Sequence, residues 1–274
     1  LYELSIKNGV DARLQENVTG FERFENGYRV KTSKGKTTEV EILISAHGKK
    51  SNMDGIMDRE FFQKDADFIG VKYHFNYKIP SHLVSLNNFE TGYCGVSMIE
   101  EEKVNVCYLS TKTALKKYGS IEGLEAALVR KNPFLNDVFT NGTKLFSEPK
   151  TISDFSFKPK NPVEDGVLMA GDAAGLITPL CGNGMAMAIH AAFIASTTVD
   201  GYFKRKLTRV QMEKKYAYDW KLAFQSRIKV GYQLQKIMGK EKISAFAMKS
   251  LQVAPFLLPT IVKKTSGKDF YHHE

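Results

Sequence analysis

Apolar and polar positions near the start of the chain change rhythm every few residues. Leu1, Leu4 and Ile6 recur at helical spacing and stop at Asn8-Gly9, as a helix does at its C-cap. The run Val10 to Leu14 reads as a short strand. Val18 to Phe24, Tyr28 to Thr32 and Thr37 to Val40 then alternate with period two, separated by Asn26-Gly27 and by Ser33-Lys34-Gly35-Lys36. Asn-Gly between alternating runs is a strong hairpin signal because both central residues of a type I′ turn need positive φ, so this stretch predicts a small antiparallel meander. Directly after it, Ile42-Leu43-Ile44 is a compact apolar run ending in Ser45-Ala46-His47-Gly48, the pattern of a buried parallel strand that delivers the chain to a ligand-facing loop.

From about residue 66 to 157 the texture shifts to Tyr- and Phe-rich period-two runs such as Val71-Lys72-Tyr73-His74-Phe75, which predict an antiparallel sheet. Gly92 to Ile99 and Val104 to Leu109 form a hairpin around Glu100-Glu101-Glu102-Lys103, and Ser120 caps a helix through about Arg130. This region reads as a second domain inserted into the first. Val167-Leu168-Met169-Ala170 is another short buried strand and runs into Gly171-Asp172-Ala173-Ala174-Gly175. After Pro179-Leu180-Cys181-Gly182-Asn183-Gly184, the nearly all-apolar Met185 to Val199 predicts a helix buried on most sides, of core rather than membrane length. The last quarter is helical, with Tyr216, Trp220, Phe224 and Ile228 at steps of four on one face. Val253 to Val262 is apolar, broken by Pro255 and Pro259, and closed by Lys263-Lys264.

Composition narrows this picture without redirecting it. With 274 residues, 43% hydrophobic and 25% charged, the chain makes one large or two ordinary domains. Cys94, Cys107 and Cys181 show no CxxC spacing, so neither a disulfide framework nor a metal site is expected. No secretory signal and no run of 18 apolar residues is visible, which fits a cytoplasmic protein. The net charge of +9 is segregated: residues 201–274 hold 16 Lys and Arg against 5 Asp and Glu, and residues 1–200 hold 23 against 25. The basic tail suits either a solvated helix face or peripheral contact with an anionic membrane; no nucleic-acid partner is expected.

The candidate chemistry lies between Gly171 and Ala195. A strand, Gly-Asp, a loop with Gly182 and Gly184, and then a long apolar helix bring backbone N–H groups and a positive dipole end to the head of a pocket. Such a pocket suits an anion; a flavin supplies a suitable partner, since its pyrimidine edge becomes electron-rich on reduction. Asp172, at the carboxyl end of a strand, suits ribityl hydroxyls, and the glycines let backbone approach a ring without an intervening Cβ.

The string Gly166 to Ala192 closely resembles the second flavin-contact motif of the FAD-dependent oxidoreductase superfamily of aromatic hydroxylases, flavin-dependent halogenases and geranylgeranyl reductases. In style it leans to geranylgeranyl-reductase-like NAD(P)/FAD-dependent oxidoreductases. The resemblance implies that Gly171, Asp172 and Ala173 lie beside the ribityl chain, that Pro179 flanks the isoalloxazine ring, and that Gly182, Asn183, Gly184 and Met185 offer backbone donors. Residues 17 to 54 resemble the superfamily's meander and following strand, whose end carries an Ala-Asp-Gly-x-x-Ser type motif. Here it is Ala46-His47-Gly48-Lys49-Lys50-Ser51, so His47 and Gly48 are candidate cofactor contacts. Histidine replaces the usual aspartate, which weighs against direct nicotinamide use and leaves His47 either structural or functional.

The implied fold class is α/β (α+β mixed): an incomplete Rossmann-like FAD-binding domain from residues 1–60 and 158–200, a substrate-binding β-sheet domain at 61–157, and a C-terminal helical region at 201–274. The superfamily's strand-GxGxxG-helix is not in these residues, so the chain reads as a fragment preceded by about a hundred residues, one nucleotide-binding half. The expected enzyme is a reductase acting on a hydrophobic isoprenoid, lipid or polyketide-like substrate, with NAD(P)H as candidate electron donor. An aromatic monooxygenase is the alternative, and a non-enzymatic membrane- or partner-binding remnant a further one. The reductases' aromatic and Pro-Lys-Gly signature is missing after Tyr93-Cys94. No catalytic residue is assigned, because in this superfamily the flavin does the chemistry. Cys181 in the loop is either a packing thiol or a substrate-side group. His190 reads as a buried, hydrogen-bonded histidine.

Overall fold

A computed structural model describes residues 1–59, 68–153, 157, 159–238 and 240–266. The opening helix α1 (Tyr2–Lys7) stops at Asn8, with Gly9 at φ +84°. The expected meander follows: β1 (Val18–Phe24), β2 (Gly27–Thr32) and β3 (Thr37–Val40) pair antiparallel in that order, with Phe24 opposite Gly27 across the turn. Val10 to Leu14 is not a strand. Its apolar residues have no strand to pair with and stay in solvent, Val10 53% and Leu14 60% exposed.

The compact run beginning at Ile42 contracts to β4 (Ile44–Ser45). It runs parallel to β12 (Val167–Met169), which also pairs antiparallel with β11 (Val163–Glu164). This second sheet packs on the meander and two long helices, α6 (Gly184–Phe203) and α7 (Arg209–Ile237). Tyr216, Trp220 and Phe224 of α7 bury the predicted face, each stabilising the fold by about 2–3 kcal/mol. The Tyr28 hydroxyl donates to the Asp165 carbonyl at 3.1 Å, and Arg209 of α7 donates to the carbonyls of Asn26 and Glu41. Meander, sheet and helices are thereby tied into one core.

Helix α6 corrects the expectation of burial on most sides. Only Met187, Ala191, Ala195 and Thr198 are buried, because α7 and the turn at Gly171 cover a single face. Met185, Ile189 and Phe193, at steps of four on the other side, are 84%, 52% and 48% exposed.

The largest sheet has the order β10 (Lys150–Ile152), β5 (Phe68–Asn76), β8 (Val104–Thr111), β7 (Gly92–Met98), β6 (Val84–Phe89), with β9 (Thr143–Lys144) also on β5. Period-two alternation gives it two unlike faces. Val71, Tyr73, Phe75, Cys94, Val96, Val106 and Tyr108 point to a core closed by α3 (Lys112–Tyr118), α4 (Ile121–Ala127) and α5 (Pro133–Asn141). The Ser120 hydroxyl caps α4 as expected, accepting from the Gly123 amide at 3.0 Å; the helix ends at Ala127 and a 3-10 turn completes the run to Lys131. Cys94 pairs with Tyr108 and Gly95 with Cys107, so the two thiols lie on opposite faces and both are free.

The C-terminal helices α8 (Glu241–Val253) and α9 (Leu257–Ser266) complete the described chain. Pro255 interrupts the helix here, whereas Pro259 sits in the first turn of α9, where its missing N–H breaks no bond. Among the described residues, no helix is long and apolar enough to cross a membrane.

Candidate functional site

Because β4 and β12 are parallel neighbours, with Ile44 opposite Leu168 and Ser45 opposite Met169, their carboxyl ends release two loops side by side. Ligands gather at this position in open α/β sheets. The first loop, residues 46–51, passes through Gly48 at φ +83°, a conformation natural to glycine, and enters α2 (Asn52–Ile56) at Ser51. Ser51 and Asp54 form a reciprocal capping box: the Ser51 hydroxyl accepts from the Met53 amide, and Asp54 Oδ2 accepts from the Ser51 amide at 2.7 Å.

Asp54 is fully buried and also ties the first loop to Arg59. Its Oδ1 lies 3.0 Å from His47 Nε2 and accepts from Arg59 Nη1 at 3.0 Å. Burial alone would raise its pKa, but hydrogen bonds from His47, the Ser51 amide and Arg59 hold the carboxyl below its ordinary value. Arg59 further pairs with Glu164 and donates to the Ala173 carbonyl at 3.0 Å, so this buried network reaches across to the second loop. The other ring nitrogen of His47 meets Ser45 Oγ at 2.7 Å. The imidazole therefore faces inward with both nitrogens engaged by protein.

The second loop starts with a 3-10 turn at Gly171–Ala173, Gly171 at φ +61°, where an added Cβ would lie 3.3 Å from Ala188 Cβ. Under it, a Cβ at Gly175 would lie 2.7 Å from Trp220 Cη2, so α7 presses directly on the loop backbone. A second 3-10 turn at Pro179–Cys181 ends on Gly182 in the left-handed region, and α6 begins two residues later. The amides of Gly184, Met185 and Ala186 donate to no acceptor among the described residues, which leaves the positive end of a 20-residue helix open.

Lys160 joins the two loops. Its Nζ donates to the Lys49 carbonyl and to the Asp172 carbonyl, each at 2.8 Å, and burial pushes its pKa down to about 8. Burial raises the Asp172 carboxyl above its ordinary value, opposed by the nearby Lys160 and Lys49 charges. That carboxylate makes no hydrogen bond among the described residues; its acceptor capacity is available to a ligand.

A cavity of about 510 Å³ separates these loops from the open face of the large sheet. Lys49, Asp172, Pro179, Leu180 and Gly182 line its loop side, and Tyr93, Gly95, Ser97, Asn105, Cys107 and Leu109 line its sheet side. Of the residues singled out in the sequence, Asp172, Pro179 and Gly182 reach this cavity, while Gly171, Gly48 and Gly184 shape the backbone beside it. Ala173 is buried with its carbonyl on Arg59. The Asn183 side chain turns away to the Thr265 carbonyl, and that of Met185 points to solvent. His190 lies edge-on to Phe224, at 5.1 Å between ring centres.

Sequence reading missed Lys160, Arg59 and Asp54. Ser51-x-x-Asp54 spells a capping box and was the one available signal; nothing in the spacing of Arg59 or Lys160 marks them.

These features fit a flavin in kind. A carboxylate with open acceptor sites suits ribityl hydroxyls, and unpaired helix-start amides beside glycines without Cβ suit the electron-rich edge of a flat ring. No protein-family model matches the chain. It is 24% identical over 231 residues to a digeranylgeranylglycerophospholipid reductase of Methanococcus vannielii, a match covering 79% of this chain and 56% of that protein. The chain thus spans little more than half of that relative's length. The same fold occurs in the flavin-dependent brominase Bmp2, with a TM-score of 0.73 and 17% identity over 96% of this chain and 67% of the other. It occurs also in pqsL, a probable FAD-dependent monooxygenase from Pseudomonas aeruginosa, with a TM-score of 0.65 and 16% identity over 85% and 66% of the two chains. The relative is a reductase and the fold neighbours are a flavin-dependent brominase and a probable FAD-dependent monooxygenase, the kinds of enzyme found in the superfamily that the loop motif resembles.

Proposed function

We propose that this chain supplies the isoalloxazine and ribityl side of an FAD site and acts as a reductase on an apolar substrate held in the cavity below the sheet. The observation that carries the reading is the shared cavity: the free carboxylate of Asp172 and the helix-start loop face an apolar sheet wall across it. When bound, FAD supplies hydride transfer to carbon. Asp172 would hold the group by accepting from its hydroxyls, the open amides of Gly184 to Ala186 would donate to its electron-rich edge, and Pro179 with Leu180 would keep water from it. His47 serves as an internal strut.

The test is flavin uptake and product analysis in the protein expressed with its natural flanking residues. The expected result is a yellow protein that, given NAD(P)H, saturates a double bond of an isoprenoid without consuming oxygen. Absence of flavin after reconstitution would refute the flavin reading. Oxygen consumption matched by hydroxylated product would refute the reductase in favour of the monooxygenase.

A second proposal concerns the tail. On α8, Ile243, Phe246 and Val253 share the exposed side with Lys249, and α9 exposes Leu257, Leu258 and Val262 before Lys263 and Lys264. Apolar residues edged by lysines suit the surface of an anionic bilayer, where a lipid substrate would be collected. Co-sedimentation with phosphatidylglycerol vesicles, lost in Phe246→Asp and weakened by salt, is the expected outcome; equal sedimentation of wild type and variant would overturn it.

A further inference from the structure

The sheet wall of the cavity is a trough with a distinct geometry. Register places Leu86, Gly95 and Cys107 side by side on adjacent strands, with Tyr93 and Leu109 one pair toward the flavin-side loop and Ser97 and Asn105 one pair away from it. Tyr93 and Leu109 pack with Leu176 and Leu180, so the loop end is apolar apart from the buried Tyr93 hydroxyl. At the far end the wall turns polar, and the buried Oδ1 of Asn105 accepts no hydrogen bond among the described residues. From Tyr93 to Ser97 the trough runs about 14 Å at about 3.4 Å per strand residue.

Gly95 sits in the middle of this floor, in an interior strand, where glycine forfeits side-chain packing and often marks the close approach of a ligand. An added Cβ there would meet only the Cys107 carbonyl oxygen, at 3.8 Å. The two other glycines of this sheet region have a packing reason to be glycine. A Cβ at Gly92 would fall 1.9 Å from the Leu109 oxygen, and one at Gly70 would fall 2.7 Å from Ile152 Cγ2. Nothing in the fold requires glycine at 95, and its φ is not in the left-handed region.

We infer that Gly95 is the specificity-determining residue of the cavity: its missing side chain is the room in which an extended or flat apolar substrate lies, with a hydrogen-bonding end group toward Ser97 and Asn105. The inference deepens the proposed function and rests on it for which end of the substrate reacts, namely the apolar part beside Leu180 and Asp172. The cavity volume falls in the range of small-molecule sites.

The experiment measures binding of farnesol, its hydrocarbon counterpart farnesene and 2-naphthol by calorimetry, alongside FAD uptake. Wild type is expected to bind farnesol or 2-naphthol. Gly95→Leu should keep its circular dichroism and FAD uptake while losing at least tenfold in probe affinity, with Gly95→Ala between the two. Asn105→Leu should cut the preference for farnesol over farnesene about fivefold, the worth of one hydrogen bond. Undiminished probe binding by folded Gly95→Leu overturns the inference, as does a wild type that takes up FAD but none of the probes. If the protein takes up no FAD yet Gly95→Leu still blocks the probes, the proposed function fails and the assignment of Gly95 stands.

Discussion

Replacing Asp54 by Ala tests whether the buried network under the first loop is held together by that one carboxylate. Asp54 accepts from the Ser51 amide at 2.7 Å and from Arg59 at 3.0 Å, and meets His47 at 3.0 Å. Removing it takes away half of a capping box, worth about 1 kcal/mol, and strands the Arg59 guanidinium, whose side chain is 1% exposed. Breaking a buried pair from one side costs about 3–5 kcal/mol. Glu164 remains as a partner for Arg59, so the low end applies and the expected loss is about 3–4 kcal/mol in all. That is a large share of a typical stability of about 5–15 kcal/mol. Urea unfolding at pH 7 reads it directly. Arg59→Met made together with Asp54→Ala should recover part of the loss, leaving a coupling of about 1–3 kcal/mol. The pH dependence has a definite sign: with its folded pKa depressed, Asp54 stabilises above its unfolded value near 3.8, and that contribution disappears as pH falls through the lower folded value. A loss below about 1 kcal/mol, the size of an ordinary substitution, or strict additivity in the double variant, would refute the network.

Three further outcomes are expected. Gly171→Ala forces a side chain into φ +61° and close to Ala188, costing about 1–2 kcal/mol and lowering the melting temperature by roughly 3–6 °C; an unchanged melting curve would show that the turn can relax. Asp172→Asn keeps the shape but weakens the acceptor, so FAD affinity by fluorescence quenching should fall about five- to tenfold, and equal affinity would remove Asp172 from the ribityl contact. Lys160 has a folded pKa pushed down to about 8 from an ordinary 10.5. The unfolded chain therefore binds more protons between those values, and stability should rise with pH across that window in wild type relative to Lys160→Met. Parallel pH profiles for the two proteins would contradict this.

Local rules made much of this protein readable in advance. The turn at Asn26-Gly27, the cap at Ser120 and the apolar ladder of Tyr216, Trp220 and Phe224, with Ile228 partly buried at its end, each depend on neighbours within a few residues, and each forms as the pattern implies. Helix α6 fails where the pattern carries no direction: an almost wholly apolar segment does not say which side its partners cover, and here they cover one. Val10 to Leu14 has strand composition, but a strand is defined by its partner. Of the candidate site, the loop glycines and Asp172 were legible because one contiguous motif carries them. The cavity wall was not, since it takes alternate residues from strands brought together only by register. Lys160 was equally hidden, a single cation bridging backbone carbonyls at positions 49 and 172.

The packing of Trp220 under Gly175 gives the molecule an optical property. The chain has a single tryptophan, and its indole lies against the backbone of the loop assigned to the flavin, with Phe224 at 5.4 Å on another side. Tryptophan emission therefore comes from one place, the underside of the loop proposed to hold the flavin. A bound yellow chromophore nearby would quench it by energy transfer, and loosening of the loop would shift it to the red, so the two events separate in one spectrum.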